Sequence, residues 1–154
     1  MSMKRIWVFL ACVTSTIVLS PATAGAQGPP ADVTITYVEE HCPSTGATFV
    51  ATGGIEDDGV VSLTVVGPLA GPFGVTGSTV HVEALFTGEE GSFTLFWHVA
   101  FMATDDPNVF ASVGAWRIVA GTGDYDGLKG QGQSRGVCEF GFGGETDILE
   151  GRVQ

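Results

Sequence analysis

The segment KGQGQSRGVCEF, Lys129–Phe140, alternates between two very different sets of residues. Successive side chains of a β-strand point to opposite faces. One face therefore carries Lys129, Gln131, Gln133, Arg135 and Glu139, and the other carries Gly130, Gly132, Ser134, Gly136 and Cys138. A face almost bare of side chains lets a sheet bend sharply and approach its neighbours closely. This segment therefore predicts a strand in the wall of a small closed barrel.

The rest of the chain also divides into short β-rich runs separated by turn formers. Glycine, proline, asparagine, aspartate and serine dominate the separators, and no run has a 3.6-residue apolar period. The pattern predicts an all-β protein, an eight-stranded antiparallel β-barrel. The predicted strands lie near Val33–Val38, Ala47–Thr52, Val60–Val66, Thr79–Phe86, Ser92–Met102, Phe110–Ala120, Lys129–Phe140 and Thr146–Val153.

Three ionisable residues on the central strands are candidates for acid/base chemistry. His81 and Glu83 share one face of Thr79–Phe86, and the opposite face is apolar. That alternation favours a solvent-facing pair, although an inward-facing pair could transfer protons, because a carboxylate in an apolar cavity has a raised pKa. His98 lies between aromatic residues on the next strand, so it is equally compatible with a packed histidine.

The run Phe93–Met102 is apolar on both faces. The outer wall of a barrel in water does not tolerate such a face uncovered. A second subunit is the first candidate for the cover and a folded-over loop, Gly67–Gly77, is the second. The run therefore predicts a homo-oligomer.

The N-terminal segment has the layout of a secretory signal peptide. Lys4 and Arg5 precede an apolar run of about 15 residues, which is too short to span a membrane, and small residues follow. We expect cleavage after Ala24 or Ala26. The predicted organisation is a signal peptide over residues 1–26, a linker over 27–31 and one barrel domain over 32–154, with secretion to a periplasmic or extracellular location.

Charge and cysteine content restrict the partners and the compartment. The chain beyond the signal peptide contains four basic and 17 acidic residues, so its formal charge is −13. This negative charge disfavours nucleic acid and anionic membranes as partners. Once Cys12 is removed, Cys42 and Cys138 have only each other to pair with, and an oxidising compartment favours that disulfide. The alternative is a catalytic thiol at Cys42 beside His41, although neighbours on a strand point to opposite faces.

The segment GAWRIVAGTGDYDGLKGQG, Gly114–Gly132, is the most distinctive in the chain. It resembles the G-x-W-x-I-x-x-G-T-G-x-Y-x-x-L-x-G-x-G pattern of bacterial proteins with the allene oxide cyclase barrel-like fold, and the corresponding hairpins of dirigent proteins. Its residues suit a structural turn, because glycine permits positive φ or close backbone approach. The turn motif consists of Gly121, Gly123, Tyr125, Leu128, Gly130 and Gly132. A phosphate-binding loop would need a following helix, whereas a strand follows here.

The resemblance implies an eight-stranded barrel around an apolar cavity, in which related enzymes fold a reactive intermediate into one cyclisation geometry. It also implies a trimer, because the plant families form trimers. Outside the hairpin, no catalytic residue of the family can be matched to a position in this sequence.

The sequence therefore predicts a secreted barrel that binds a small apolar ligand or serves as an envelope or assembly module. The alternative is a cyclase or isomerase of the allene oxide cyclase or dirigent type acting on a hydrophobic substrate. We expect no cofactor and no metal, since the three histidines and two remaining cysteines lack ligand spacing and Asp124-x-Asp126 is only a fragment of a calcium loop. Apolar pockets are the usual small-molecule sites, and the predicted ligand-lining residues are Phe93, Trp97, Phe101 and Trp116.

Overall fold

The computed structural model describes residues 28–42, 46–67, 78–141 and 143–154. Eight strands form a closed antiparallel barrel in which each strand pairs with the next, and β8 pairs with β1. The predicted fold class is confirmed. The strands are β1 (Ala31–Glu39), β2 (Gly46–Gly53), β3 (Asp57–Val65), β4 (Thr79–Gly88), β5 (Gly91–Ala103), β6 (Val109–Gly123), β7 (Gly130–Glu139) and β8 (Glu145–Val153).

The barrel is closed by the seam between β1 and β8. Its register runs from Ala31 opposite Val153 to Glu39 opposite Glu145. We call the end of the barrel at Glu39 and Glu145 the disulfide end, and the other the hairpin end. Closure leaves no strand of the barrel with an unpaired edge. The barrel therefore needs no helix or loop to cover an exposed edge strand, as an open sheet does.

The glycine face of β7 points into the barrel, as its alternation predicts. A Cβ atom at Gly132 would lie 2.6 Å from Cζ2 of Trp116, and the same atom of Trp116 lies 2.6 Å from a Cβ position at Gly151. The buried Trp116 ring therefore occupies space left by glycines on β7 and β8. Further along β7, Gly136 makes room for the carboxyl of Asp147 in the same way.

Aromatic rings fill the hairpin end of the interior. Phe86 and Phe93 stack with ring centroids 4.9 Å apart, and Phe49 meets both rings edge to face. Tyr125, from the turn between β6 and β7, packs edge to face on Phe93 at 5.3 Å. These contacts form a dense apolar core that anchors the turn to the barrel.

The distinctive glycine-rich segment forms the end of β6, a turn and the start of β7. Gly123 and Gly127 have φ angles of +64° and +77°, which favour glycine. Gly121 instead allows close approach, because a Cβ atom there would lie 1.9 Å from the carbonyl oxygen of Tyr125. Leu128 is half-buried against the core, so the turn tucks an apolar patch beneath itself.

The predicted disulfide between Cys42 and Cys138 is present. Cys42 follows β1 and Cys138 lies on β7, so the bond reaches across β8 at the disulfide end. The cysteines are 96 residues apart, and in the chain-entropy account a crosslink of this span stabilises by on the order of 4 kcal/mol. The alternative of a free catalytic thiol at Cys42 is wrong.

Two predictions fall outside the described residues. The signal peptide over residues 1–26 is one, and the covering role of the loop Gly67–Gly77 is the other, since only Gly67 of that loop is described. Within the described part of the chain, no helix has the length and apolar character needed to cross a membrane.

Filling the glycine face should destabilise the barrel. In Gly132→Ala, the new methyl group would lie 2.1 Å from the carbonyl oxygen of Glu150 as well as against Trp116. Because overpacking against backbone forces the strands apart, we expect a loss of about 2–3 kcal/mol in the free energy of unfolding, measured by urea denaturation with the disulfide intact. Gly46→Ala is the control, since a Cβ atom there meets nothing within 4 Å. Equal stability of the two variants would contradict the proposed role of the bare face.

Candidate functional site

A cluster of polar side chains lies inside the disulfide end of the barrel. Every second residue of β1 points inward, so that after three apolar positions the fourth inward residue is Glu39. On β8 the inward positions at the same end are Glu145 and Asp147. We call this set the acidic cluster, and its members are Tyr37, Glu39, Ser112, Glu145 and Asp147.

Strand register brings these groups together. Glu39 lies directly opposite Glu145, and Tyr37 lies directly opposite Asp147 across the β1–β8 seam. Ser112 of β6 reaches the cluster across β7, where Gly136 separates it from Asp147 without a side chain. Two carboxyls opposite one another on antiparallel strands repel if both are charged, so this register disfavours full ionisation.

Hydrogen bonds connect the members in pairs. The hydroxyl of Tyr37 donates to Oε1 of Glu39. The hydroxyl of Ser112 donates to Oδ1 of Asp147 over 2.6 Å. Oε2 of Glu145 lies 3.6 Å from Sγ of Cys42, a weak contact between a carboxyl and the disulfide.

Burial makes the protonated forms favourable. Asp147 is 0% exposed and Glu145 is 7% exposed. Burial, together with the neighbouring Asp147 carboxyl, raises the pKa of Glu145 to about 10. Burial also raises the pKa of Asp147, against the opposing effects of the hydrogen-bonding Glu145 carboxyl beside it and of the hydrogen bond from Ser112. At neutral pH, Glu145 is therefore a neutral carboxylic acid inside the barrel.

One buried atom of the cluster lacks a hydrogen-bond partner. Among the described residues, nothing within hydrogen-bonding geometry satisfies Oδ2 of Asp147. A buried polar atom without a partner costs about 1–3 kcal/mol, and such atoms are rare in folded proteins. Because the surrounding side chains bury Oδ2 completely, a bound molecule could supply the missing hydrogen bond only by displacing some of them.

A metal centre is not formed by the sulfur atoms near this cluster. Glu145 lies within reach of both Cys42 and Cys138, an arrangement that places one carboxylate and two sulfurs close together. Both sulfurs are joined in the disulfide, however, and cysteine binds a metal ion as the thiolate.

The four predicted ligand-lining aromatic residues all lie in the barrel interior, where Trp97 and Trp116 are directly opposite one another. Phe101 faces Ser112 beside the acidic cluster. Trp97 lies two inward positions further into the barrel on β5, where its indole donates to the Ser134 hydroxyl over 2.8 Å and its ring meets Tyr37 edge to face at 5.5 Å. Trp116 packs over the inner glycines, and Phe93 lies in the aromatic core at the hairpin end. Of the four, Phe101 and Trp97 adjoin the acidic cluster.

The acid/base candidates of the central strands lie elsewhere. Glu83 and His98 are exposed, and His81 is half-buried, all on the outer wall of β4 and β5. His81 and Glu83 could transfer protons inside the barrel only if their side chains pointed inward. The apolar residues of β4 point inward instead. Among the described residues, the buried carboxyls inside the barrel are therefore those of the acidic cluster.

Sequence reasoning missed the acidic cluster. The available signal was the alternation of β1, which places Glu39 on the same face as the apolar residues 33, 35 and 37. The alternation of β8 places Glu145 and Asp147 on one face in the same way. Either strand alone shows only a carboxyl near a strand end, where solvent exposure is usual. The cluster can be recognised only once the β1–β8 pairing places both strand ends together at the disulfide end.

Searches against protein-family models, curated proteins and solved structures each find no match for this chain. The resemblance of the Gly114–Gly132 segment to allene oxide cyclase-like and dirigent proteins therefore stays a prediction. The class defined by the described structure is an eight-stranded antiparallel barrel with a disulfide and an internal acidic cluster.

The raised pKa of Glu145 predicts that acid stabilises the fold. Between the ordinary pKa of an unfolded glutamate, 4.5, and about 10, the folded state holds a proton that the unfolded state has released, so stability falls as pH rises. We expect Glu145→Gln to flatten this dependence, with a change of about 1–4 kcal/mol in the pH 5 to pH 8 difference, measured by urea denaturation. Glu83→Gln, on the outer wall, is the control. An unchanged slope in Glu145→Gln would mean that this carboxyl is ionised in the folded protein.

Proposed function

We propose that the protein binds a small, mostly apolar molecule that carries a hydrogen-bonding oxygen, at the disulfide end of the barrel. The observation that carries this proposal is the unpartnered Oδ2 of Asp147, fully buried beside a neutral carboxylic acid. A ligand group placed there would satisfy an atom that the described protein leaves without a hydrogen bond.

The chemistry of the cluster selects the polar group of the ligand. Protonated Glu145 can donate a hydrogen bond, and Asp147 can accept one from a hydroxyl or, when protonated, donate to a carbonyl. The hydroxyl of Tyr37 is engaged with Glu39, and burial with that hydrogen bond raises the pKa of Tyr37, so the phenol stays neutral. A ketone, an alcohol or a protonated carboxylic acid suits this set better than an anion, which three neighbouring carboxyls disfavour.

The apolar part of the ligand would lie against Phe101 and Trp97. Both rings are buried and adjoin the acidic cluster, whereas the hairpin end is already filled by its own aromatic core. Pockets that combine apolar walls with a few placed polar groups are the usual sites for small molecules. We therefore place the ligand at the disulfide end and not along the whole barrel.

A second candidate is a cyclase or isomerase acting on a hydrophobic substrate. The observation that favours it is the pKa of Glu145, which leaves a proton donor available at neutral pH in a buried site. Perturbed carboxyls of this kind are more frequent at functional sites than elsewhere. In this reading, Glu145 would protonate a substrate oxygen and Asp147 would accept a proton.

We further propose that the protein works outside the cytoplasm. The buried Cys42–Cys138 disulfide is compatible with an oxidising periplasmic or extracellular compartment. The signal-peptide pattern of the N-terminal sequence supports the same location.

Titration with oxygen-bearing apolar molecules should separate the two candidates. We expect a compact terpenoid ketone or alcohol to change tryptophan fluorescence saturably, because Trp97 adjoins the cluster, and a hydrocarbon of the same size to bind at least about tenfold more weakly. Fatty acids and polyenes complete the panel. Mass spectrometry of each mixture then checks for an isomeric product.

Variants decide the interpretation. Asp147→Asn should weaken the ketone or alcohol without altering the binding of the hydrocarbon, whereas Glu83→Gln on the outer wall should change neither. Binding without turnover supports a non-catalytic ligand-binding protein. An isomeric product that is lost in Glu145→Gln supports a cyclase or isomerase. Identical binding of ketone and hydrocarbon in all variants would overturn a role for the cluster in recognition.

We also propose that the outer wall of β5, β6 and β7 forms a subunit contact. Met102, Ala111 and Val137 lie opposite one another in a row across these strands, and Val113 lies beside them. Met102, Val113 and Val137 are 42%, 41% and 48% exposed, so the row presents apolar surface to solvent. Self-association would remove this surface from water, and a trimer is the form that the hairpin resemblance implies.

Sedimentation velocity at micromolar concentration tests this contact. We expect a species heavier than the monomer, and a shift toward monomer in Met102→Lys combined with Val137→Lys, because both charges would be buried in the contact. Val60→Lys is the control, since Val60 is 57% exposed on the outer wall of β3. A wild-type monomer, or equal dissociation in the control, would contradict the assignment.

A further inference from the structure

Two of the three histidines meet on the outer wall of the barrel, away from the acidic cluster. His81 of β4 and His98 of β5 lie directly opposite one another in the antiparallel register. Their rings are 4.6 Å apart between centroids and perpendicular. Side chains opposite one another on neighbouring strands share a face and interact, so the backbone of the β4–β5 pair holds both imidazoles together.

This spacing suits two ligands of one metal ion. A divalent ion binds an imidazole nitrogen at about 2.0–2.1 Å, which places the centres of two adjacent ligand rings about 4.5–5.5 Å apart. The observed 4.6 Å lies within this range. Because the two rings are perpendicular, ion binding requires side-chain rotation that turns one nitrogen of each ring toward the ion.

Among the described residues, neither imidazole makes a hydrogen bond or ion pair to another side chain. The two rings contact each other, the ring of His81 contacts that of Phe96 at 5.8 Å, and Gly67 packs against Nδ1 of His81. His98 is exposed, so an ion can reach the pair from solvent. A ligand pair without competing hydrogen bonds loses little when a metal arrives.

Charges of both signs lie near the His81–His98 pair, and the net negative charge of the chain favours cations. The full chain has a formal charge of −11, and Glu83 lies two residues from His81 on the same outer face. The nearby guanidinium of Arg117 lies 5.2 Å from the ring of Phe96, which it covers. Phe96 thus contacts both Arg117 and His81, and a cation–π contact holds this positive charge over the ring.

We propose that His81 and His98 form a surface site for a divalent transition metal, with copper(II) bound more tightly than nickel(II) or zinc(II). Imidazole suits these ions, and copper(II) heads their order of affinity. Water would fill the remaining positions, because the described residues supply two nitrogens and no third ligand in contact. Sequence spacing did not indicate this site, since the two histidines are 17 positions apart and meet only through the hairpin register.

Titration of tag-free mature protein with copper(II) at pH 7.5 tests the site. We expect one saturable site by isothermal titration calorimetry, and an electron paramagnetic resonance spectrum with hyperfine splitting from two nitrogens. His81→Ala and His98→Ala should each weaken binding at least about tenfold, because each removes one arm of the chelate, and the spectrum should report one nitrogen.

His41→Ala is the matched control, since His41 is the third histidine and is exposed just after β1, whereas the pair lies on β4 and β5. It should leave both the affinity and the spectrum unchanged. Circular dichroism and thermal unfolding confirm that each variant keeps its fold. Equal losses in all three variants, or an unchanged spectrum in the His81→Ala His98→Ala double variant, would assign copper to another group and overturn the proposal.

Discussion

The bare inner face of β7 is the constraint on which the interior depends. Gly132 leaves the space that the Trp116 ring fills, and Gly136 leaves the space that the Asp147 carboxyl fills. The same strand therefore accommodates the apolar middle of the barrel and the acidic cluster at its disulfide end. Side chains at these two positions would collide with backbone as well as with their neighbours, so close strand approach and the placement of the cluster arise from one feature.

The acidic cluster is tolerated because its members need not all be charged. Transferring ionised carboxylates into an apolar barrel would be very unfavourable, whereas neutral acids bury at a far smaller free-energy cost. The hydrogen bonds from Tyr37 and Ser112 offset part of that cost, and the unpartnered oxygen of Asp147 shows that the offset is incomplete. Buried groups that lower stability in this way are typical of sites selected for a purpose other than stability.

The sequence predicted the fold well and the site poorly, for a physical reason. Alternation and turn residues are local signals, and they located all eight strands and the inward face of β7. The disulfide followed from the cysteine count. The pairings of Glu39 with Glu145 and of His81 with His98 depend on register between strands, which no local pattern encodes. The four aromatic residues predicted to line a ligand site are all buried, but only the fold separates Trp97 and Phe101, beside the cluster, from Phe93 in the packed core.

The seam between the first and last strands has a kinetic consequence. Because β1 cannot pair with β8 until the end of the chain is available, the final closure is a contact between segments more than 100 residues apart in sequence, and contacts of such long range form slowly. The four facing residues of the acidic cluster at the seam, and the disulfide that reaches across β8, can take their places only at that step. Until that pairing forms, the sheet would have two exposed edges and the acidic cluster would be incomplete, so one event both removes the edges and assembles the cluster.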